Sequence, residues 1–327
     1  MSEPTISVII PAHNCENTIT KTLEAIATQD VLTQIEIIVV DDGSIDQTAS
    51  IVRSFPKVKY LRQENSGPAT ARNLGARSAT GNYLFFTDSD CIPQKDWVKK
   101  MMPHFTDEKT AVVAGSYGIA NPEKPLARCI HQEIRYRHNR MPQNPSYFGS
   151  FNFAIRREIF KEVGGFDASY RKASGEDNDL SYQIIARNYK IYFAKDALVD
   201  HSHPERIGKY LREQSRHGFW RAKMYLRHPK MSRGDDYTFW KDIVEVPLVL
   251  LLLMLAFLGL FNTSFIKVLG GVAGAVSLLE IYYSLAIIKN GRLKIFWAFV
   301  MFARAVARSL GFVAGFFRFL PAQIFSK

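Results

Sequence analysis

The chain predicts an α/β fold, a mostly parallel sheet flanked by helices, followed by C-terminal transmembrane helices; three observations carry this. Over the first hundred residues, short apolar runs alternate with amphipathic helical patterns. Aspartates gather where those runs end. Residues 246–266 and 268–288 carry a single charge between them, Glu280.

The elements follow in order. "ISVIIPAHN" reads as a buried strand over residues 6–10 that breaks at Pro11, with a helical pattern over 16–29 placing Ile19, Leu23 and Ile26 on one face. "IEIIVVDDGS" is a strand running into a turn, and a helix follows over 46–54. "VKYL" is a third strand, and "GPATARNLGARSA" a helix entered through Gly67 and Pro68. "NYLFFTD" is the fourth. Strand and helix alternating in this way give a sheet covered on both faces, with ligands beyond the carboxyl ends of the strands. Asp41, Asp42, Asp88 and Asp90 fall at such ends.

In an extended segment Asp88 and Asp90 emerge on one side and Ser89 on the other, an arrangement suited to a divalent cation. A solvated turn before Pro93 is the alternative. Beyond residue 105, "AVVAG" and "FNFAI" read as strands, "RREIFKEVGGF" as a short helix and "GEDNDLSYQIIARN" as a helix with an acidic first turn. Residues 206–228 form a basic helical pattern.

At 327 residues the chain suits about two domains of roughly 150 residues. The +11 net charge is uneven: residues 1–204 hold 24 basic and 24 acidic residues, and residues 205–327 hold 18 and 7. A neutral domain before a basic, apolar tail argues against nucleic acid and for an anionic membrane surface. At about 1.5 Å per residue each 21-residue apolar stretch spans about 30 Å, a bilayer core. Residues 1–204 are therefore expected as the α/β domain, 205–242 as a basic juxtamembrane segment, 243–288 as a membrane hairpin, and 289–327 as an amphipathic interfacial helix or third membrane segment. Nine basic and two acidic residues over 205–233 place that side in the cytoplasm by positive-inside counting. "MSEPTISVII" has no basic region or cleavable apolar core, so no secretory signal is expected. Cys15, Cys91 and Cys129 are odd in number, lack metal-ligand spacing and suit a reducing compartment as small core residues.

Mid-span, Glu280 must be protonated, face a polar cavity or meet a cation, and Arg304 and Arg308 are the nearest candidates in sequence. With Arg318 they occupy one sector of a helical wheel, which favours a helix lying on the membrane.

"PAHN", "DDGS", "NSGPATARNLGARSATGNY", "DSD", "GSFNFAIRREIFKEVGGFD" and "GEDNDL" occur in this order over about residues 5–203. Together they resemble the family 2 glycosyltransferases. The resemblance implies the GT-A fold, a nucleotide-sugar donor (a UDP-sugar favoured, with GDP open), Mn²⁺ or Mg²⁺, and inversion at the anomeric carbon. It assigns Asp90 to the metal, Asp88 to the donor ribose or to the metal through water, Asp42 to the base imide, and Pro11, His13 and Asn14 to the surface under the base. It sets Arg72 near base and phosphates, with a surface ion pair as the ordinary alternative. Asp177 is implied as general base, with Glu176 orienting acceptor or base, although acids here also suit a helix start, as for Asp179. His201 stands where some members place a third metal ligand, with His203 the alternative. "EQSRHGFW" resembles the QxxRW signature of processive members, but His217 replaces its Arg, which puts processivity in doubt.

The expected activity is sugar transfer to a hydroxyl of a lipid-linked or lipid acceptor in cell-envelope synthesis, by a multi-pass protein of a bacterial inner membrane. The alternatives are a polyprenyl-phosphate sugar synthase and a non-catalytic nucleotide-sugar-binding scaffold.

Overall fold

A computed structural model describes residues 6–31, 34–172 and 175–324. The chain divides into two compact units: residues 1–121 with 138–202, and residues 122–137 with 203–327.

In the first unit the strands are β1 (Ile6–Ala12), β2 (Ile35–Asp42), β3 (Val58–Gln63), β4 (Tyr83–Thr87), β5 (Cys91–Pro93), β6 (Thr110–Ile119), β7 (Asn152–Arg156) and β8 (Lys190–His201). They form one sheet in the order β3-β2-β1-β4-β7-β6-β8-β5. β3, β2, β1 and β4 are mutually parallel, whereas β7 runs antiparallel to both its neighbours and β5 antiparallel to β8. The order reverses between β1 and β4, which opens a crevice at their carboxyl ends. Helices α1 (Ile19–Ala27), α2 (Thr48–Arg53), α3 (Pro68–Ser78), α4 (Trp97–Met101), α6 (Arg157–Glu162) and α7 (Glu176–Ala186) complete this unit.

Period-two alternation explains the two-sided core. Ile9, Ile38 and Phe86 join one buried cluster, and their neighbours Val8, Ile10, Val39 and Phe85 join the other. β1 does not break at Pro11, which stays in register with Val40. Pairing with β4 has already ended at Ile9, so the missing N–H interrupts no ladder there. Gly67 opens α3 at φ +94°, and a Cβ there would sit 2.4 Å from the Arg171 carbonyl oxygen, so only glycine serves.

The second unit is helical: α5 (Pro125–His138, grouped here through residue 137), α8 (Ile207–Arg227), α9 (Trp240–Gly259), α10 (Ser264–Ile287) and α11 (Gly291–Ile324). Three of these, α9, α10 and α11, are long and apolar enough to cross a membrane. Met254, Phe257, Leu278 and Tyr282 point outward, as lipid-facing residues would. α9 starts and ends about six residues earlier than the apolar stretch suggests, because its charged first turns are buried in ion pairs and Asn262 accepts the Ser264 N–H in the turn that follows. α8 and α11 approach closely at Gly218, Gly311 and Gly315, each of which faces the partner helix's backbone.

Glu280 meets a cation other than the two expected. Lys241 lies 2.9 Å from its Oε1 and also contacts Glu245. Arg304 is buried and pairs with Glu133 at 2.7 Å, while Arg308 donates to Gln214 at 2.7 Å and lies 3.5 Å from Asp242. Neither arginine is displayed to lipid phosphates, because α5 and α8 supply acceptors on that side of α11.

Candidate functional site

After β1 the chain turns at Asn14, a non-glycine residue at φ +48°. Its Oδ1 accepts the Ile45 N–H at 2.9 Å and its own N–H donates to Ser44 Oγ at 3.0 Å, so it ties the loops after β1 and β2 together. Exposed His13 stands 2.9 Å from the Asp42 carbonyl oxygen through Nδ1, which makes that nitrogen the protonated one and Nε2 an acceptor for Asn14 or Asn65. Its ring is thereby oriented at the crevice mouth.

The Asp42 carboxylate already serves the fold. Oδ1 accepts from Gln63 Nε2 at 2.7 Å and the Ser66 N–H at 2.8 Å, and Oδ2 accepts the Gly67 N–H at 2.9 Å. Three donors leave one lone pair, on Oδ2, for a ligand. Asp41 likewise accepts from Ser44 N–H and Tyr60 hydroxyl, which hold its carboxyl below the usual range against the opposing effect of burial.

Asp88 and Asp90 do not lie in an extended strand, contrary to expectation. β4 ends at Thr87 and residues 88–91 form a turn closed by the Cys91 N–H on the Asp88 carbonyl at 3.1 Å. The turn expected as the alternative is thus the conformation these residues adopt. Asp88 Oδ1 receives Arg72 at 2.7 Å, and Asp90 Oδ2 lies 3.4 Å from His201 Nε2. Arg72 is no surface ion pair: it is 1% exposed and its second arm reaches Glu176 Oε1 at 3.0 Å. It clamps the turn after β4 to the start of α7.

The α7 start carries the acids in succession. Glu176 is buried on Arg72, and Asp179 is buried and accepts from Gln183 at 2.8 Å. Asp177 is half-buried, with the Asn178 N–H at 2.9 Å and long contacts of 3.4 Å to Tyr147 hydroxyl and Ser150 N–H. Burial, and then the charge of Glu176, push its carboxyl up to about 7. A carboxylate poised there exchanges protons near neutral pH.

Asp90, Cys91 and His201 bring three donor atoms within 4.8 Å of one another, a set that fits a divalent cation. His203 is grouped with the second unit, its ring 5.7 Å from His131. Cys91 was not legible as part of this group, because its neighbour His201 is brought by β8, a strand with no clear sequence signal. Tyr147, beside Asp177, was likewise unsignalled, whereas Ser150 lies in the quoted "GSFNFAIRREIFKEVGGFD" stretch without a role assigned to it.

Comparison with known proteins agrees with the architecture. "Glycosyl transferase family 2" matches residues 7–164, and "N-terminal domain of galactosyltransferase" matches residues 130–209. A pre-mycofactocin glycosyltransferase of Mycobacterium tuberculosis is 30% identical over 68% of this chain and 48% of its own length. The probable glycosyltransferase YdaM of Bacillus subtilis is 30% identical over 74% of this chain and 58% of its own. The chain thus spans about half the length of these relatives. A mannosyltransferase from Pyrobaculum calidifontis, solved with GDP-Man and Mn²⁺, shares the fold with a TM-score of 0.61 at 21% identity, over 95% of this chain and 87% of that one.

Proposed function

Through residues 7–164 the chain belongs to glycosyl transferase family 2, and from that premise we propose that it is a membrane-anchored, inverting sugar transferase acting on a hydroxyl acceptor. The observation that carries the reading is the pairing, in one unit, of a cation-competent group at Asp90 and His201 with a carboxylate, Asp177, raised to about 7.

The donor's nucleoside diphosphate would lie beyond the ends of β1, β2 and β4, with His13 and Asn14 under the base and the last lone pair of Asp42 on its imide. Asp90 and His201 would hold Mn²⁺ or Mg²⁺, and Asp88 would reach the ribose from its place on Arg72. A cation bound there supplies Lewis-acid stabilisation of the departing diphosphate. Asp177 takes the proton of the attacking hydroxyl on the acceptor side, a contribution of about 10²–10⁴ in rate. Arg72 fixes Glu176, and the charge of Glu176 helps keep Asp177 basic enough to act. A phosphate acceptor would need no such base, so a hydroxyl acceptor is preferred to a polyprenyl phosphate. The three apolar helices support anchoring in the bilayer, a lipid or lipid-linked acceptor and a catalytic unit on the cytoplasmic side, where residues 205–233 concentrate positive charge.

Purified full chain in detergent is to be screened for thermal stabilisation by UDP- and GDP-sugars with and without Mn²⁺, since donor binding to the folded state raises the melting temperature. Metal-dependent stabilisation by at least one donor is expected, lost in Asp90→Ala. Absence of any donor effect, or one indifferent to both metal and Asp90, overturns the reading. Anomeric configuration of the product by NMR tests inversion.

A further inference from the structure

We propose that Cys91 is a conditional third ligand of the cation site, silent with hard ions such as Mn²⁺ but joining Asp90 and His201 as a thiolate when the ion is Zn²⁺, Cd²⁺ or Co²⁺. The inference rests on the reading of Asp90 and His201 as cation ligands and adds a metal-selective, inhibitory state to it.

Strand register carries the argument. Cys91 lies directly opposite His201 in the antiparallel β5–β8 pair. Directly opposed residues in such a pair project from the same face of the sheet. Thiol and imidazole therefore reach the same side, and Asp90 reaches it from the adjoining turn. Sγ lies 3.9 Å from Asp90 Oδ1, and His201 Nε2 lies 3.4 Å from Asp90 Oδ2. Ligands at about 2.0–2.3 Å from a tetrahedral zinc stand roughly 3.3–3.8 Å apart. The carboxylate–imidazole edge already has that length, the sulfur–carboxylate edge to the other oxygen is close to it, and all three donor atoms lie within 4.8 Å of one another.

Donor chemistry selects the ion. Magnesium and manganese favour oxygen and water in six-coordinate geometry, whereas thiolate with imidazole and carboxylate suits four-coordinate zinc. As the metal–sulfur bond forms, the thiol proton passes to solvent and nothing is oxidised. With two protein ligands, a six-coordinate ion keeps four positions for water and diphosphate. With three, a tetrahedral ion keeps one, too few for two diphosphate oxygens, so zinc occupies the site without supporting donor binding. Cys91 is a free, fully buried cysteine.

The test uses the full chain in detergent and metal alone as the probe. Co²⁺ is expected to give a thiolate-to-cobalt charge-transfer band that disappears in Cys91→Ser and Cys91→Ala while Cys15 and Cys129 remain. Calorimetry is expected to show Zn²⁺ affinity falling about 10-fold or more in those variants, with Mn²⁺ affinity changed less than about 2-fold. Zn²⁺ is expected to abolish donor-induced thermal stabilisation in the unsubstituted chain and to do so less in Cys91→Ala. No cobalt–thiolate band, or unchanged Zn²⁺ affinity in both folded variants, overturns the inference. If Mn²⁺ binding depends on Asp90 and His201 while no band forms, sulfur ligation alone has failed. If the band forms but Mn²⁺ binding ignores Asp90→Ala, sulfur ligation stands and the catalytic cation reading falls.

Discussion

In the sheet-bearing unit, among the described residues, Asp88, Asp90, Glu176 and Asp177 stand with the Arg72 guanidinium and the imidazole of His201. In the helical unit Glu133, Asp242, Glu245 and Glu280 stand with Lys241, Arg137, Arg304 and Arg308. The residue types are similar and the balance differs. Four carboxylates against four cations neutralise one another within the chain, and burial then demands only good geometry. Among the described residues, four carboxylates against one guanidinium and one imidazole leave an excess of carboxylate that a bound cation can complete. Asp177 adds a carboxyl that burial first, and then the charge of Glu176, keep from ionising until about pH 7. A balanced buried cluster builds the fold, and an unbalanced one at a crevice is material for a site.

Breaking the balanced cluster should have the largest effect. Lys241→Met removes the cation shared by Glu245 and Glu280 and leaves carboxylates buried unpaired, a loss of about 3–5 kcal/mol. The melting temperature in detergent is expected to fall sharply, and the pair Lys241→Met with Glu280→Leu to recover part of it, because one of the two uncompensated carboxylates then goes while Glu245 stays. A double variant no better than the single would show that Glu280 is not the partner that matters.

In the unbalanced cluster Asp177→Asn should instead leave the fold intact and lower turnover about 100-fold or more, the minimum for a general base. Donor and metal binding are expected to stay close to wild type. Residual turnover above a tenth would assign the proton to another group.

What could be read before any coordinates follows the same division. β1–β4 and the acids at their ends were legible because period-two apolar runs and Asp-rich turns are local signals. Arg72 as a buried clamp was not, since its partners Asp88 and Glu176 are 16 and 104 residues away in sequence. The Lys241–Glu280 pair was missed because Lys241 precedes the apolar stretch and looked like its boundary. Cys91 was set aside as core, and it is buried; only the register of β8 puts it beside His201.

A smaller effect is the pH dependence of turnover. Asp177 must be ionised to accept a proton, so the rate is expected to rise about tenfold per pH unit below its midpoint near 7 and to level above it. Arg72→Lys should move that limb, because the lysine cannot hold Glu176 and Asp88 with the same planar fork. A limb that stays in place in Arg72→Lys would separate the clamp from the base.

The smallest expected effect concerns stability, and it has the opposite sign to the loss of activity. Asp177 ordinarily ionises near pH 3.8 but in the fold near 7, so the native state holds its proton more tightly than the unfolded chain. The folded protein therefore loses stability as pH rises from about 4 to about 7, and the full penalty is present above that window. Asparagine cannot ionise and carries no such penalty. Asp177→Asn is thus expected to melt higher than the unsubstituted chain at pH 8, by an amount on the order of 1 kcal/mol after allowing for the partial exposure of the carboxyl. The difference should vanish by pH 4, where both side chains are neutral. An equal or lower melting temperature at pH 8 would mean that Tyr147, Ser150 and the Asn178 N–H already satisfy the charged carboxylate. The excess negative charge would then reside in Asp88 and Asp90 rather than at the start of α7.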